Sequence, residues 1–547
     1  MNSTHTDKKD KIQAGLIDKM RKAVAFGKAE KRFLEIDVSP EERGNRLCVS
    51  VSDIHLTDGT VGFQNLSDTT WNSFYDTIKE RCIRYAIDEL VFVLDGDIVD
   101  MIRSSKWAAH EPPIYPWERH RKEEFSAVVN AIIKDIVEKQ HAFFFKWLRE
   151  LESKLKQESL LSEIKAKIVI MIGNHDKELF CDTEALKYFY EKALGRSISQ
   201  IPETERKTLG RMYGDESMFL DPDRAPYLPF YYGDTGFRFF TTHGQWRDEA
   251  NSRNIKAHDG KPGWKTTQGW QIETWQQLQF SPFFEPCFGD SVAAGVLSTF
   301  IYKTKKKLDD ANYYDPRLIS ILDELDLYRP TYGAINRILN EAAKMRAQKK
   351  EQNAIKIIET TLYECIIDWL SWDFTYQSSP LLRRKGLKLA KRFLEIMKSF
   401  GHGLEIKSIA GLMRILAFFD SLQQPSVKLS IMKKFPGFMP AYQHYNFQIH
   451  GEGHTHQPLQ EELDTGSDHL TTYINFGTWR DQIIPRKKNG YRRRSVLRAL
   501  FILDIINYNE KTKHMMPRTF DYFVEDIVHW SDAKDALDQT GHSEPRT

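Results

Sequence analysis

Five short apolar runs in this chain end in the same kind of polar punctuation, and that repetition limits what it can fold into. Leu47 to Val51 leads into Ser52-Asp53-Ile54-His55, and Leu90 to Leu94 ends in Asp95-Gly96-Asp97-Ile98-Val99-Asp100. Ile168 to Ile172 ends in Gly173-Asn174-His175-Asp176, Phe237 to Thr242 delivers His243-Gly244, and Phe447 to His450 precedes Gly453-His454-Thr455-His456. Runs that are short, bounded and rich in β-branched or aromatic residues read as buried strands. Each stops where side chains that bind metals or carry protons begin. Helical stretches, around Trp71 to Ile87 and roughly Arg119 to Lys156, separate the first three runs. Strand alternating with helix predicts an α/β fold in which helices cover a sheet.

With 547 residues the chain exceeds a single typical core and requires two domains or one domain with a large insertion. The insertion is visible as a change of period. From about Gln268 to Phe435 strand runs give way to helical spacing, as in Ala354, Ile357, Ile358, Thr361, Leu362, Cys365, Ile366 and Trp369. The chain thus divides into an N-terminal extension (1–43), a first core part (44–267), a helical insertion (268–435), a second core part (436–530) and a polar tail (531–547). Within the extension, Lys11 to Phe26 could form an amphipathic helix. Formal charge is only +2, from 78 basic and 76 acidic residues, so no global field points to nucleic acid or membrane. The five cysteines are scattered with no CxxC pair, which fits a reducing compartment and disfavours zinc fingers. No apolar leader follows Met1, and nowhere do about 18 apolar residues run together. These features predict a soluble, cytoplasmic protein.

The strand ends carry the chemistry. Asp53 and His55, two residues apart on extended backbone, point to one face and can reach one metal. Gly96 relieves the backbone where the chain turns off the sheet and leaves Asp97 free to coordinate; a carboxylate has two oxygens and can bridge two cations. Asn174 offers an amide oxygen, His175 can donate or accept a proton, and Asp176 can orient it.

In order, these ends read D-x-H, G-D-x-x-D, G-N-H-D, H-G and G-H-T-H, a set that resembles the calcineurin-like metallophosphoesterase superfamily over residues 47 to about 267 and 436 to about 505. The resemblance implies a two-sheet α/β/β/α sandwich with the helical insertion as a cap. It implies that Asp53, His55 and His456 bind one metal ion, that Asn174, His243 and His454 bind another, and that Asp97 bridges them. Nitrogen and oxygen ligands without thiolate suit Mn, Fe or Zn rather than Ca, and seven ligands are too many for one open four-coordinate ion. Two such ions, about 3.5 to 4 Å apart, can hold a phosphoryl oxygen and bring a shared water toward ionisation for in-line attack. By the same resemblance His175 protonates the leaving oxygen or stabilises the transition state, Asp176 holds its ring, and Asp100 supports the ligands.

Departures narrow the substrate. Protein phosphatases of the superfamily continue the second motif with Arg-Gly and use GNHE; Asp100-Met101-Ile102 and GNHD here disfavour that activity. Asp100 also stands where purple acid phosphatases place a tyrosine ligand. The ending, Gly453 to Pro458 and then Asn475-Phe476-Gly477-Thr478-Trp479, looks more like prokaryotic phosphoesterases, distantly including UDP-2,3-diacylglucosamine hydrolase. That enzyme has a lid at the matching position, though this insertion is far longer. Arg247 and Arg480 are candidate substrate-binding cations. Pro485 to Arg494 reads as a basic hairpin turning at Asn489-Gly490, which could hold phosphates or a nucleic-acid backbone, or simply be a solvated edge. Trp264, Trp270, Trp275, Phe280, Phe283 and Phe284 could stack a base or cover an acyl chain, or pack the insertion onto the core. The expected activity is metal-dependent phosphoester hydrolysis on a phosphorylated small molecule or nucleotide. A nuclease and a nucleotide-linked pyrophosphate hydrolase are the enzymatic alternatives, and a partner-binding scaffold with a vestigial metal site is the non-enzymatic one.

Overall fold

Alternation along the strands decides the architecture. The structure, a computed structural model, describes residues 44–62, 64, 66–215, 221–248, 250–252, 281–329, 332–348, 352–379, 381–399, 447–463, 471–485, 490–509 and 514–527. Its strands are β1 (Arg46–Val51), β2 (Glu89–Asp95), β3 (Lys165–Met171), β4 (Tyr231–Asp234), β5 (Phe239–Thr242), β6 (Ile449–Glu452), β7 (Leu459–Leu463), β8 (Thr471–Asn475), β9 (Gly477–Pro485), β10 (Tyr491–Asn509) and β11 (His514–Ile527). One sheet runs β11-β10-β1-β2-β3, with β9 also paired to β10; the other runs β4-β5-β6-β8-β7. Both sheets are mixed. β1, β2 and β3 are parallel, with Val49 opposite Phe92 and Phe92 opposite Ile168, while β10 runs antiparallel to β1. In the second sheet β5, β6 and β8 are parallel and the flanking β4 and β7 antiparallel.

Period-two patterning then stacks the layers. Cys48, Val91, Val93, Val169, Met171, Leu500 and Ile502 of the first sheet pack on Tyr232, Phe239, Ile449, Ile474 and Phe476 from the second. Their neighbours Leu47, Val49, Leu90, Phe92 and Leu94 face the opposite way, onto Trp71, Phe74, Ile78 and Trp147. Each fully buried Val, Leu, Ile or Phe contributes about 1.5–3 kcal/mol, so a one-residue slip in register would exchange both layers at once. An α/β arrangement of two stacked sheets with helices outside is the result.

The helix expected around Trp71 to Ile87 spans Asp68–Arg84, with the Ser67 side chain accepting from Thr70 N at its start. The stretch expected as one helix from Arg119 to Lys156 is broken into Lys122–Lys134, a wider π turn at Asp135–Gln140, Ala142–Arg149 and Leu151–Leu155. Four strands lack the apolar runs that would have revealed them. β7 reads Leu-Gln-Glu-Glu-Leu, β11 contains Pro517, and both are edge strands, where charge and proline are tolerated. β4 is only four residues long, and β9 carries Arg480, Asp481 and Gln482 in its middle.

Between 281 and 399 the described chain is helical, chiefly Thr299–Asp310, Pro316–Glu324, Tyr332–Ala347, Gln352–Ser371 and Leu381–Ser399. Ile301, Leu322, Ile338, Ile358, Leu362 and Leu387 give it an apolar cluster of its own. Asp315 caps the Pro316–Glu324 helix by accepting from Arg317 N and Leu318 N, with proline in the first turn. This region joins the sheets by polar contacts: Tyr328 bridges Ile483 of β9, Arg329 N donates to Ile483 O at 2.9 Å, and Lys177 Nζ meets Asp290 Oδ1 at 2.6 Å. β9 and β10 pair antiparallel on either side of the expected basic hairpin, whose residues 486–489 lie outside the described residues, and Arg493 pairs with Asp481 and with Glu324 of the helical region. Phe284 packs on Phe180 and Tyr213, and Phe283 on Phe230, so these two rings serve packing. Trp264, Trp270, Trp275, Phe280 and the possible helix Lys11 to Phe26 lie outside the described residues, as do 1–43 and 531–547. Among the described residues no helix is long and apolar enough to cross a membrane, and all five cysteines are free.

Candidate metal centre

The loops that follow β1, β2 and β3 are sewn to one another before any side chain is considered. Asp53 N donates to Gly96 O (3.2 Å), His55 N to Asp97 O (2.9 Å), Leu56 N to Ile98 O (2.9 Å) and Met101 N to His175 O (2.9 Å). Those bonds hold an unusual backbone. Asp53, His55, Asp97, His454 and His456 all have positive φ, between 50° and 64°. Outside glycine this conformation costs on the order of 1 kcal/mol or more per residue, and it gathers where geometry serves a site. Two glycines admit the close approach: a Cβ on Gly96 would lie 2.6 Å from the His243 ring, and one on Gly173 would lie 2.1 Å from Asp97 Oδ1.

Asp53, His55, Asp97 and His456 present ligand atoms that all lie within 4.8 Å of one another, and all four are buried. Asp53 Oδ1 is 3.0 Å from His456 Nε2, and the Nε2 atoms of His55 and His456 are 3.0 Å apart. Asp97 has a central place: its Oδ2 lies 3.7 Å from His55 Nε2 on one side and 3.2 Å from His243 Nε2 on the other. Beyond His243, His454 Nδ1 stands 2.9 Å from Asn174 Oδ1, and the His243 and His454 rings are 5.6 Å apart. The seven residues expected as ligands therefore come together from five loops.

The far side of each ring is also held. His55 Nδ1 is 3.0 Å from Asp100 Oδ2, His243 Nδ1 2.8 Å from the Asp95 carbonyl, and His454 Nε2 3.1 Å from Asp248 Oδ2. A carbonyl or carboxylate can only accept, so these ring nitrogens donate and the opposite nitrogens turn lone pairs toward the cluster. His243 Nε2 is buried and makes no hydrogen bond. Asp248 is a residue sequence reasoning missed; its position five residues beyond His243 was the available signal. Thr478 Oγ1 and Trp479 N, both donating to Asp53 O, give the Asn475 to Trp479 stretch its local role.

Two expectations require correction. Asp100, not Asp176, holds His175, whose Nδ1 lies 2.9 Å from Asp100 Oδ1. Asp176 instead accepts from Gly173 N (2.6 Å) and Ile98 N (3.1 Å), pinning the β3 loop to the β2 loop. These two donors occupy Asp176 Oδ1 and Oδ2 in turn, so the carboxylate is spent on backbone rather than on the neighbouring ring. Arg480 is buried and paired with Asp326 of the helical region. The side chain of Arg247 lies outside what is described.

The charges of the cluster bear strongly on one another. Burial pushes Asp53 and Asp97 up, yet His243 and the neighbouring histidines hold both carboxyls below their usual range. Asp100 is likewise held well below it, against burial, by His175 and His55. Burial drives His456 down to about 3 and lowers His175, whereas Asp97 and Asp53 overcome burial to raise His243. Where burial keeps His456 unprotonated, its Nε2 faces Asp53 Oδ1 at 3.0 Å as acceptor against acceptor. These buried His and Asp groups could hold metal ions, and the donor set fits Mn, Fe or Zn. Comparison with family models, with curated proteins and with solved structures finds no match to this chain.

Proposed function

We propose that this chain is a metal-dependent phosphoester hydrolase of the calcineurin-like type, with two divalent cations and the helical region 281–399 as part of a cap over the site. The observation that carries the reading is the position of Asp97 Oδ2 between His55 Nε2 and His243 Nε2, two ring nitrogens whose other sides are committed as donors. Asp53, His55 and His456 would hold one ion, Asn174, His243 and His454 the other, with Asp97 shared. Cations so held supply Lewis acidity to a phosphoryl group and a nucleophile available near neutral pH.

The chain's own residues divide the remaining work. Asp100 takes both His55 Nδ1 and His175 Nδ1 on one carboxylate, so a ligand ring and a proton-carrying ring are oriented together. His175 is thereby left with Nε2 to move a proton at the leaving oxygen, from a side chain only 12% exposed. Asp248 and Asp95 fix the ring orientations of His454 and His243. Within the basic hairpin, Arg493 is occupied by Asp481 and Glu324 rather than open to a nucleic-acid backbone.

Protein depleted of metal and reconstituted with Mn, Fe, Zn or Mg is expected to hydrolyse bis-p-nitrophenyl phosphate or p-nitrophenyl phosphate in a metal-dependent way. His175→Ala should lower turnover about 10²- to 10⁴-fold with metal content unchanged. Absence of turnover with all four metals, together with no bound metal in the purified protein, would discard the enzyme in favour of a binding scaffold.

A further inference from the structure

Beside the metal centre lies a second polar cluster of opposite sign. Asp326, in the short turn Leu325–Leu327 of the helical region, is 2% exposed and receives three guanidinium groups. Arg103 Nη1 reaches its carbonyl at 3.2 Å and its Oδ2 at 3.3 Å, Arg480 Nη2 pairs with the same Oδ2, and Arg329 Nη1 donates to the carbonyl at 2.6 Å. Two guanidinium groups, Arg103 and Arg480, thus meet on one carboxylate, Arg329 joins them at the carbonyl of the same residue, and Arg103 Nε also lies 3.4 Å from Asp100 Oδ2. Asp100 already serves two histidines.

Arg329 is the least buried of the three arginines. It is half-buried, and Nη1 alone serves both its carbonyl partners, Asp326 O and Tyr328 O at 3.0 Å. Among the described residues it forms no ion pair, and its Nε and Nη2 make no hydrogen bond. That edge of a guanidinium is a planar pair of donors suited to gripping a phosphate in bidentate fashion. Burial and the charges of Arg103 and Arg480 push Arg329 down to about 9, the response of a cation crowded by cations. Arg329 shares the Asp326 carbonyl with Arg103, Arg103 reaches Asp100, and Asp100 holds His55 and His175, so the cluster borders the candidate metal centre.

We propose that Arg329, backed by Arg103 and Arg480, forms an anion subsite that takes a second phosphoryl group of the substrate, next to the one that reacts. The inference rests on the phosphoester reading for the reacting group, and narrows it to diphosphates or closely spaced bisphosphates. Arg329 has no ion-pair partner among the described residues and is crowded by two other guanidinium groups, and a bound dianion would pair with its open edge.

The test is calorimetric titration of the full-length, manganese-loaded protein with inorganic pyrophosphate and, separately, inorganic phosphate. The wild type should prefer pyrophosphate by about tenfold or more, and Arg329→Gln should bring that preference close to unity. Arg329→Lys keeps the charge, loses the fork, and should fall between them. Asp326→Asn removes the carboxylate at the centre of the cluster and should tighten pyrophosphate binding, a response that a clasp merely holding the helices would not give. Equal preference in wild type and Arg329→Gln, both folded by circular dichroism, overturns the subsite. Metal content and bis-p-nitrophenyl phosphate turnover are measured on the same samples. Protein without metal or turnover that still shows an Arg329-dependent preference refutes the hydrolase reading and leaves the subsite standing; active, metal-loaded protein without that preference does the reverse.

Discussion

The candidate metal centre and the arginine cluster meet at Arg103 and Asp100, but they hold buried charge in opposite ways. In the first, Asp53, Asp97 and Asp100 are surrounded by histidines, and ring nitrogens turned inward leave an excess of acceptors. In the second, Arg103, Arg329 and Arg480 converge on Asp326 and leave an excess of donors. The difference teaches what each lacks. A set of converging acceptors is completed by cations, a set of converging donors by an anion, and a metal-bound phosphorylated substrate would satisfy both. Their origins differ too. The acceptors come from strand ends held by backbone hydrogen bonds, while the donors are assembled from the loop after β2, from β9 and from the helical region.

Substitutions that change one cluster and spare the other break or sharpen this comparison. Asp97→Asn, which removes charge from the carboxylate shared between two histidines, should cost at least about 1,000-fold in turnover, or about 4 kcal/mol. Elemental analysis should show metal lost in the same variant, while the pyrophosphate preference assigned to Arg329 is retained on the remaining folded protein. Retained metal and turnover in Asp97→Asn would remove the basis for treating the first cluster as a metal centre. Asp248→Asn leaves every proposed ligand in place and weakens only the acceptor behind His454, so metal affinity should fall about 10- to 100-fold by competition with a chelator. An unchanged affinity would reduce Asp248 to a surface partner of His454.

The smallest effect tests the reach of the positive cluster. His141, which is half-buried with Nε2 3.0 Å from the Thr57 carbonyl, is pushed down to about 4 by burial and by the charge of Arg480. Its protonation in the unfolded chain begins near its ordinary value of about 6.5, so below that pH the unfolded state binds the extra proton. The stability it contributes is present above about 6.5 and is lost as pH falls toward 4. Chemical denaturation of the wild type should lose about 1–2 kcal/mol from this group between pH 7 and pH 5. His141→Gln should remove that part of the slope; an identical slope in the variant would mean that neither burial nor Arg480 lowers His141.

How much of this was legible before the structure depended on how local each feature is. β1, β2 and β3 announced themselves because a strand covered on both faces is apolar at every position, as Leu90 to Leu94 is. β9 and β11 did not, because Arg480 finds its partner in Asp326 and Pro517 sits on an edge, neither of which is encoded nearby. The same distinction separates Asp100 from Asp176. Both stand in motifs, and adjacency favoured Asp176 as the partner of His175, yet the parallel pairing of β2 with β3 carries Asp100 alongside that ring.

What the sequence by itself determined is the set of groups at the strand ends, because each motif links its side chains within a few residues; the extended backbone expected at Asp53 and His55 is instead left-handed, beyond the end of β1. Only the tertiary structure decided which ring nitrogen faces inward, that Asp248 stands behind His454, and that three arginines from separate segments meet at Asp326. Those facts depend on strand register, on layer packing and on the way the helical region docks against β9, and no short stretch of chain contains them.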